Sequence, residues 1–322
     1  MNMQIIGTGS SLPEAVITNK KLEQIVDTTD EWVRERTGIG QRHVSTGETV
    51  ASLATAACVK ALKDAGKTAE EVDIIIVATC SPELALPCVA CQVQAEIGAI
   101  NAVCFDLNAA CSGFLFALNT VYSYFNSGMY KNALVVGAEV LSKIVDWTDR
   151  GTCILFGDGA GAAFLQAVVD KEDTYKYVQH ANGTKGMVLT CGQRDLNNPL
   201  YQEELMKKYV EMDGREVFSF AVRQVSQCIE ELLETANLAK ENIDYYILHQ
   251  ANARIIEGIS KRLKEDISKF PTNVENVGNM SSASIPVLLD ECRRSGALKK
   301  GDRVVLSGFG AGLTYGASVI TL

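Results

Sequence analysis

The chain repeats itself. Glu71-Val72-Asp73-Ile74-Ile75-Ile76-Val77 returns in pattern as Asn242-Ile243-Asp244-Tyr245-Tyr246-Ile247-Leu248, 171 positions on. Ala133-Leu134-Val135-Val136 returns as Arg303-Val304-Val305-Leu306 at an offset of 170. The stretches before the first pair, residues 50–65 and 215–236, both read as amphipathic helices. Gly157-Asp158-Gly159-Ala160-Gly161 and Gly308-Phe309-Gly310-Ala311-Gly312 stand 151 apart, which implies about twenty additional residues between 138 and 156, the size of a functional loop. Continuous apolar runs of the buried parallel kind, alternating with helices, predict two similar α/β halves packed together. They are expected at residues 1–170 and 171–322, joined somewhere in 168–185. Further strands are predicted near residues 3–7, 133–137, 153–156 and 162–167.

A length of 322 residues exceeds what one core usually organises, in keeping with duplication. No apolar window is long enough to cross a membrane, and the first residues, Met1-Asn2-Met3-Gln4-Ile5-Ile6, have no basic segment followed by a long apolar one. A cytoplasmic protein is therefore expected. Its ten scattered cysteines suit reduced thiols rather than a disulfide framework. The Cys88-Val-Ala-Cys91 pair lacks a second pair or a nearby histidine, so no metal site is expected. A net charge of −9 disfavours nucleic-acid binding.

One stretch carries chemistry. Residues 101–107 read as a strand that turns through Asn108-Ala109-Ala110-Cys111-Ser112-Gly113 into a helix apolar nearly all round, from Phe114 to Phe125. Cys111 falls at the helix start, where unpaired N–H groups and the helix dipole favour a thiolate, although a buried structural cysteine fits the same stretch. At an offset of 170 its counterpart is Ser281, in Asn276-Val277-Gly278-Asn279-Met280-Ser281-Ser282. Related by a pseudo-twofold axis, the two corners would bring Asn279 toward Cys111. Of three histidines, His249 follows a buried strand, where α/β folds place ligands. His43 and His180 lie among polar residues and read as surface histidines. The glycine-rich turns lack dinucleotide and P-loop spacings. They do let backbone N–H groups approach a substrate oxygen, as an oxyanion hole requires.

Asp106-Leu107-Asn108-Ala109-Ala110-Cys111-Ser112-Gly113-Phe114, His249-Gln250-Ala251-Asn252-Ala253-Arg254, Asn276-Val277-Gly278-Asn279 and Gly308-Phe309-Gly310-Ala311-Gly312-Leu313-Thr314-Tyr315-Gly316 together resemble the β-ketoacyl-[acyl-carrier-protein] synthase III family of the thiolase superfamily. The resemblance runs from Gly7 to the C-terminus. It implies a thiolase-like five-layered αβαβα fold from two duplicated halves, a homodimer, and condensation of an acyl-CoA primer with malonyl-[acyl-carrier-protein] to initiate fatty-acid synthesis, with no metal or organic cofactor.

Carried over, it makes Cys111 the acyl acceptor, His249 and Asn279 the decarboxylation pair, and the amides of Cys111 and Ala311 the oxyanion hole. Thr28, Trp32, Arg36, Arg150 and Asn252 match coenzyme A-binding positions, and Leu86 matches a residue that closes the partner's acyl pocket. Where Ala311 stands many relatives have glycine, which is tolerable if φ there is negative. Arg254, Lys261 and Arg262 share one helix face, suited to an acidic carrier protein. A solvated charged face is the plainer reading of the same residues. A priming synthase of a polyketide or quinolone pathway has the same residues, and a cysteine hydrolase uses Cys, His and Asn in the same chain order.

Overall fold

Two sheets of related plan carry the chain. A computed structural model describes residues 2–169, 175–192, 197–202 and 209–322. The first sheet holds β1 (Asn2–Ser11), β2 (Ile74–Ala78), β3 (Val103–Leu107), β4 (Asn132–Glu139) and β5 (Gly159–Val168), in the order β1-β5-β4-β2-β3. Strand β2 runs parallel to β3 and β4, while β5 is antiparallel to β4 and β1. The second sheet holds β6 (Lys176–Ala181), β7 (Tyr245–Leu248), β8 (Arg303–Gly310) and β9 (Thr314–Thr321), in the order β7-β8-β9-β6. Here β7 and β8 are parallel and the other pairs antiparallel. The expected boundary at 170/171 lies outside the described residues.

Helices complete five layers. They are α1 (Asp30–Thr37), α2 (Val50–Ala65), α3 (Val89–Ile97), α4 (Gly113–Asn126), α5 (Gly214–Thr235), α6 (Ala253–Leu263) and α7 (Ser284–Arg294). Strand alternation sorts side chains between the layers. Ile74 and Ile76 of β2 face inward with Phe114, Leu118 and Phe125 of α4, Leu288 and Leu289 of α7, and Val304 and Leu306 of β8. Ile75 and Val77 face outward onto α2 and α3. Tyr246 and Val305 face outward onto α5 and α6. The helix predicted to be apolar all round thus lies between the sheets. Each such buried Phe or Leu contributes roughly 1.5–3 kcal/mol. Among the described residues, no helix is long and apolar enough to cross a membrane.

Three local expectations are corrected. The strand predicted at 153–156 is a helical turn at Arg150–Cys153, capped by the Asp149 carboxylate accepting from Gly151 N at 2.8 Å; only Phe156 makes a bridge, with Asn279. The two glycine runs are not structural mates. Gly308 and Gly310 end β8, whereas Gly157 precedes β5 and Gly159 begins it, because residues 140–158 separate β4 from β5 while only 311–313 separate β8 from β9. The mate of Cys111 is Ser282, not Ser281. Short 3-10 turns at Ala110–Ser112 and Ser281–Ala283 lead into α4 and α7, and Ala110 (φ 47°) matches Ser281 (φ 46°) at an offset of 171. The slip arose from matching Ala133–Val136 to Arg303–Leu306 at 170; Ala133 pairs with Ile74 and Val304 with Tyr245, so β4 and β8 are themselves related by 171.

Candidate active site

The nucleophile turn is fixed by what lies against it. The Cβ of any residue larger than glycine at 310 would sit 2.6 Å from Cys111 N and 3.1 Å from Ala109 O, so β8 can end beside Cys111 only as bare backbone. Thr314 Oγ1 reaches Ser112 Oγ (2.7 Å), Ala109 O (3.0 Å) and Ala311 O (3.2 Å), tying the turn to the 311–313 loop. Ala311 does not adopt a positive φ, so its side chain brings no backbone strain.

His249 follows β7, with its N–H donating to Ser307 O at 2.8 Å and its ring edge-on to Phe309. Asn279 is held by its backbone, which donates to Leu155 O (2.9 Å) and accepts from Gly157 N (3.0 Å). Its Oδ1 accepts from Ser281 N at 2.8 Å, which turns the amide Nδ2 away as a free donor. Cys111, His249 and Asn279 line one cavity of about 140 Å³, walled by Phe156, Val217, Phe218, Ile255 and Phe309 among others. Asn252 also lines it, its Oδ1 accepting from Arg254 N (2.9 Å) to cap α6 and its Nδ2 donating to Arg36 O (3.2 Å).

The electrostatics correct one expectation. Burial pushes the Cys111 thiol up to about 12, against hydrogen bonds from Ser281 and its own backbone; ionisation of the nearby Glu139 would raise it further. Loss of hydration outweighs the helix start, because Cys111 lies in the 3-10 turn and α4 begins only at Gly113. Burial likewise holds His249 down at about 3. The resting pair is a neutral thiol and a neutral imidazole. His249 Nδ1 is buried and makes no hydrogen bond.

Near the cavity, Trp32 takes Arg150 over its ring at 4.8 Å and Arg36 at 5.7 Å. Arg150 also donates to Asp27 O at 2.9 Å. Thr28 Oγ1, just before α1, is buried without a partner. Arg254, Lys261 and Arg262 are all exposed on α6; Arg254 lies over the Phe218 ring at 5.7 Å, and Lys261 is 3.9 Å from Glu257. Leu86 lies outside the cavity and is 85% exposed. His43 is half-buried against Pro13 O, and His180 pairs with Glu231 at the surface. All ten cysteines are free, and no metal-ligating cluster occurs among the described residues. Sequence reasoning passed over Glu139, a buried carboxyl at the end of β4. Its signal was an acid closing an apolar strand, at the position that the 171-residue offset pairs with Gly310.

A duplicated α/β fold with Cys, His and Asn on one apolar cavity between its halves defines a thiolase-like acyl-transfer enzyme. Residues 105–186 match the family described as 3-Oxoacyl-[acyl-carrier-protein (ACP)] synthase III, and residues 233–322 match its C-terminal part. A relative from Clostridium acetobutylicum named β-ketoacyl-[acyl-carrier-protein] synthase III is 48% identical over 320 residues, spanning 99% of this chain and 98% of its own. The crystal structure of 3-oxoacyl-[acyl-carrier-protein] synthase III from Aquifex aeolicus superposes with a TM-score of 0.93 at 42% identity, covering both chains completely. The priming β-ketosynthase of the R1128 polyketide pathway superposes at 0.92 with 34% identity, covering all of this chain and 96% of that one. The chain belongs to the β-ketoacyl-[acyl-carrier-protein] synthase III family.

Proposed function

We propose that the protein condenses an acyl-CoA primer with malonyl-[acyl-carrier-protein] by decarboxylation, the step that initiates fatty-acid synthesis. The observation that carries this reading is the convergence of Cys111, His249 and Asn279 on one small cavity. Cys111 sulfur attacks the acyl-CoA carbonyl; its proton leaves with coenzyme A as the free thiol, and the acyl group remains on Cys111. The tetrahedral oxyanion is met by the N–H groups of Cys111 and Ala311. Malonyl thioester then enters. Asn279 Nδ2 and the N–H of neutral His249 donate to its thioester oxygen, stabilising the enolate as CO₂ departs. The enolate carbon attacks the acyl-enzyme carbonyl, breaking its bond to Cys111 and giving the β-ketoacyl thioester; the departing Cys111 thiolate takes one proton from solvent to restore the thiol. Electrons balance without a metal or organic cofactor.

The depressed basicity of His249 serves this chemistry, because a neutral imidazole remains a donor without a charge to be neutralised in the interior. Trp32, Arg36 and Arg150 form a stack whose flat faces suit the purine of coenzyme A, with Thr28 Oγ1 and Asn252 along the way to the cavity. The exposed α6 cations suit an acidic carrier protein. A homodimer is supported by β3, a sheet edge with Val103 half exposed, and by Leu86, whose exposed side chain would reach a partner's acyl pocket. The working compartment would be the cytoplasm.

Intact-protein mass spectrometry after exposure to a panel of acyl-CoA thioesters tests the reading. A single acyl adduct on Cys111 that is discharged by malonyl-[acyl-carrier-protein] as β-ketoacyl product is expected. Failure to form the adduct, or to discharge it, overturns the assignment. The likeness to a polyketide priming enzyme leaves a second reading, which the identity of the preferred primer would support or remove.

A further inference from the structure

The corner at Ser282 is a second copy of the nucleophile corner, and a carboxyl closes it. An offset of 171 pairs Cys111 with Ser282, His249 with Ala78, and Gly310 with Glu139. Around Cys111 the pairing leaves a cavity. Around Ser282, Ala78 takes the position paired with His249, and the Glu139 carboxyl lies against the serine, its Oε1 2.9 Å from Ser282 Oγ. Glu139 and Ser282 are both buried, at 0% and 1% exposure.

Proton accounting decides the state of this carboxyl. Glu139 Oε2 accepts from Ser81 Oγ (2.5 Å), Thr79 Oγ1 (3.1 Å) and Cys80 N (3.1 Å). Ser81 Oγ itself accepts from Val140 N and Thr79 Oγ1 from Ser81 N, so both hydroxyls have their hydrogens free for Oε2. Oε1 also has donors in Cys80 N (3.2 Å) and Cys80 Sγ (3.4 Å), but its contact with Ser282 is short of a hydrogen. Ser282 Oγ carries one hydrogen and faces two acceptors, Ala78 O at 2.8 Å and Glu139 Oε1 at 2.9 Å. A carboxylate there would leave one of these contacts without a hydrogen. A proton on Oε1 satisfies both, with the acid donating to Ser282 Oγ and that hydroxyl donating to Ala78 O. Among the described residues no lysine, arginine or histidine forms an ion pair with Glu139, and an unpaired buried charge is costly.

We infer that Glu139 is carried as the neutral acid and acts as a positioning residue, plugging the second corner so that one reactive cavity remains. The groups that feel its charge are Cys80, whose Sγ lies 3.4 Å away, Cys111 behind Ser281, and Cys191. Burial raises its carboxyl, against the hydroxyl and amide donors that pull it down. In the neutral form it sets no anion beside Cys111 when acyl transfer places negative charge on that sulfur. This consequence rests on the proposed acyl transfer; the protonation state does not.

The test is ¹³C NMR of the full-length protein labelled at the glutamate side-chain carboxyl, with E139Q assigning the resonance. At neutral pH the Glu139 carboxyl is expected at the position of a protonated acid, titrating above the surface glutamates. A Glu139 resonance that titrates with the surface glutamates overturns the inference, whatever reaction the enzyme performs. The amide of E139Q can donate to Ser282 Oγ and accept from the three Oε2 donors. E139Q is therefore expected to fold and to self-acylate within about threefold of the parent, while E139A, which strips those donors of their acceptor, falls further in rate. Raising pH through the Glu139 ionisation should slow self-acylation of the parent and leave E139Q unaffected by that step. Misfolding of E139Q, or a loss equal to that of E139A, would mean that the corner needs a carboxylate.

Discussion

The corners at Cys111 and Ser282 share a backbone and differ in what their sheets send toward them. Both are 3-10 turns entered through a residue at φ near +46°, and both lead into a central helix. Both are approached by bare backbone, from positions that are not mates: a Cβ at Gly137 would collide with Ser282 O, and one at Gly310 with Cys111 N. At one corner the neighbouring strand ends supply His249 and an opening. At the other they supply Ala78 and Glu139. Reactivity in a duplicated fold therefore depends less on the turn that presents the nucleophile than on whether the facing strand ends leave room for a substrate.

The largest effect should come from exchanging the two corners. Cys111→Ala should abolish the acyl adduct, a loss on the order of 10⁶ in turnover as for removal of other covalent nucleophiles. Ser282→Cys should gain no adduct, because Glu139 occupies the space beside it; an acyl group found at position 282 in mass spectra of that variant would break the comparison. Next come the donors unique to the open corner. His249→Ala or Asn279→Ala should each lower malonyl decarboxylation by on the order of 10²–10³ while self-acylation falls less. Equal loss in both half-reactions for Asn279→Ala would assign its side chain to holding the turn at Ser281 N.

Acid sharpens the contrast further, since the open corner carries the buried imidazole. The folded His249 titrates at about 3, below its unfolded value near 6.5, so the unfolded state binds the extra proton first. Stability should be lost as pH falls from 6.5 toward 3, by up to about 1.4 kcal/mol per pH unit from this group. Denaturant melts of the parent and of His249→Gln should converge as pH drops, and parallel curves would refute the burial cost assigned to the imidazole.

Smaller again are the two glycines. Gly137→Ala and Gly310→Ala should each cost roughly 1–3 kcal/mol through overpacking. Only Gly310→Ala should also slow acylation, because it displaces the Cys111 amide. The least effect is expected for Ser282→Ala, about 1 kcal/mol in thermal or chemical melts from lost hydrogen bonds to Ala78 and Glu139.

Much of the molecule was legible from the chain. The recurrence of Val72–Val77 as Ile243–Leu248 announces two halves, because a buried parallel strand needs the same apolar run wherever it occurs. The apolar girdle of Phe114–Phe125 announces a helix buried on every side. Cys111, His249 and Asn279 stand at strand and helix ends that the repeat itself juxtaposes. What only the tertiary structure decided is how these ends face one another across the halves. Pattern matching put Ser281 opposite Cys111, one residue off, and paired two glycine runs that have different structural roles. It predicted an activated thiolate where burial keeps a thiol, and it gave no role to Glu139. Periodicity records which way a side chain points from its own element. Desolvation, hydrogen sharing and the filling of a corner depend on atoms brought from far along the chain, and these meet only when the two halves pack together.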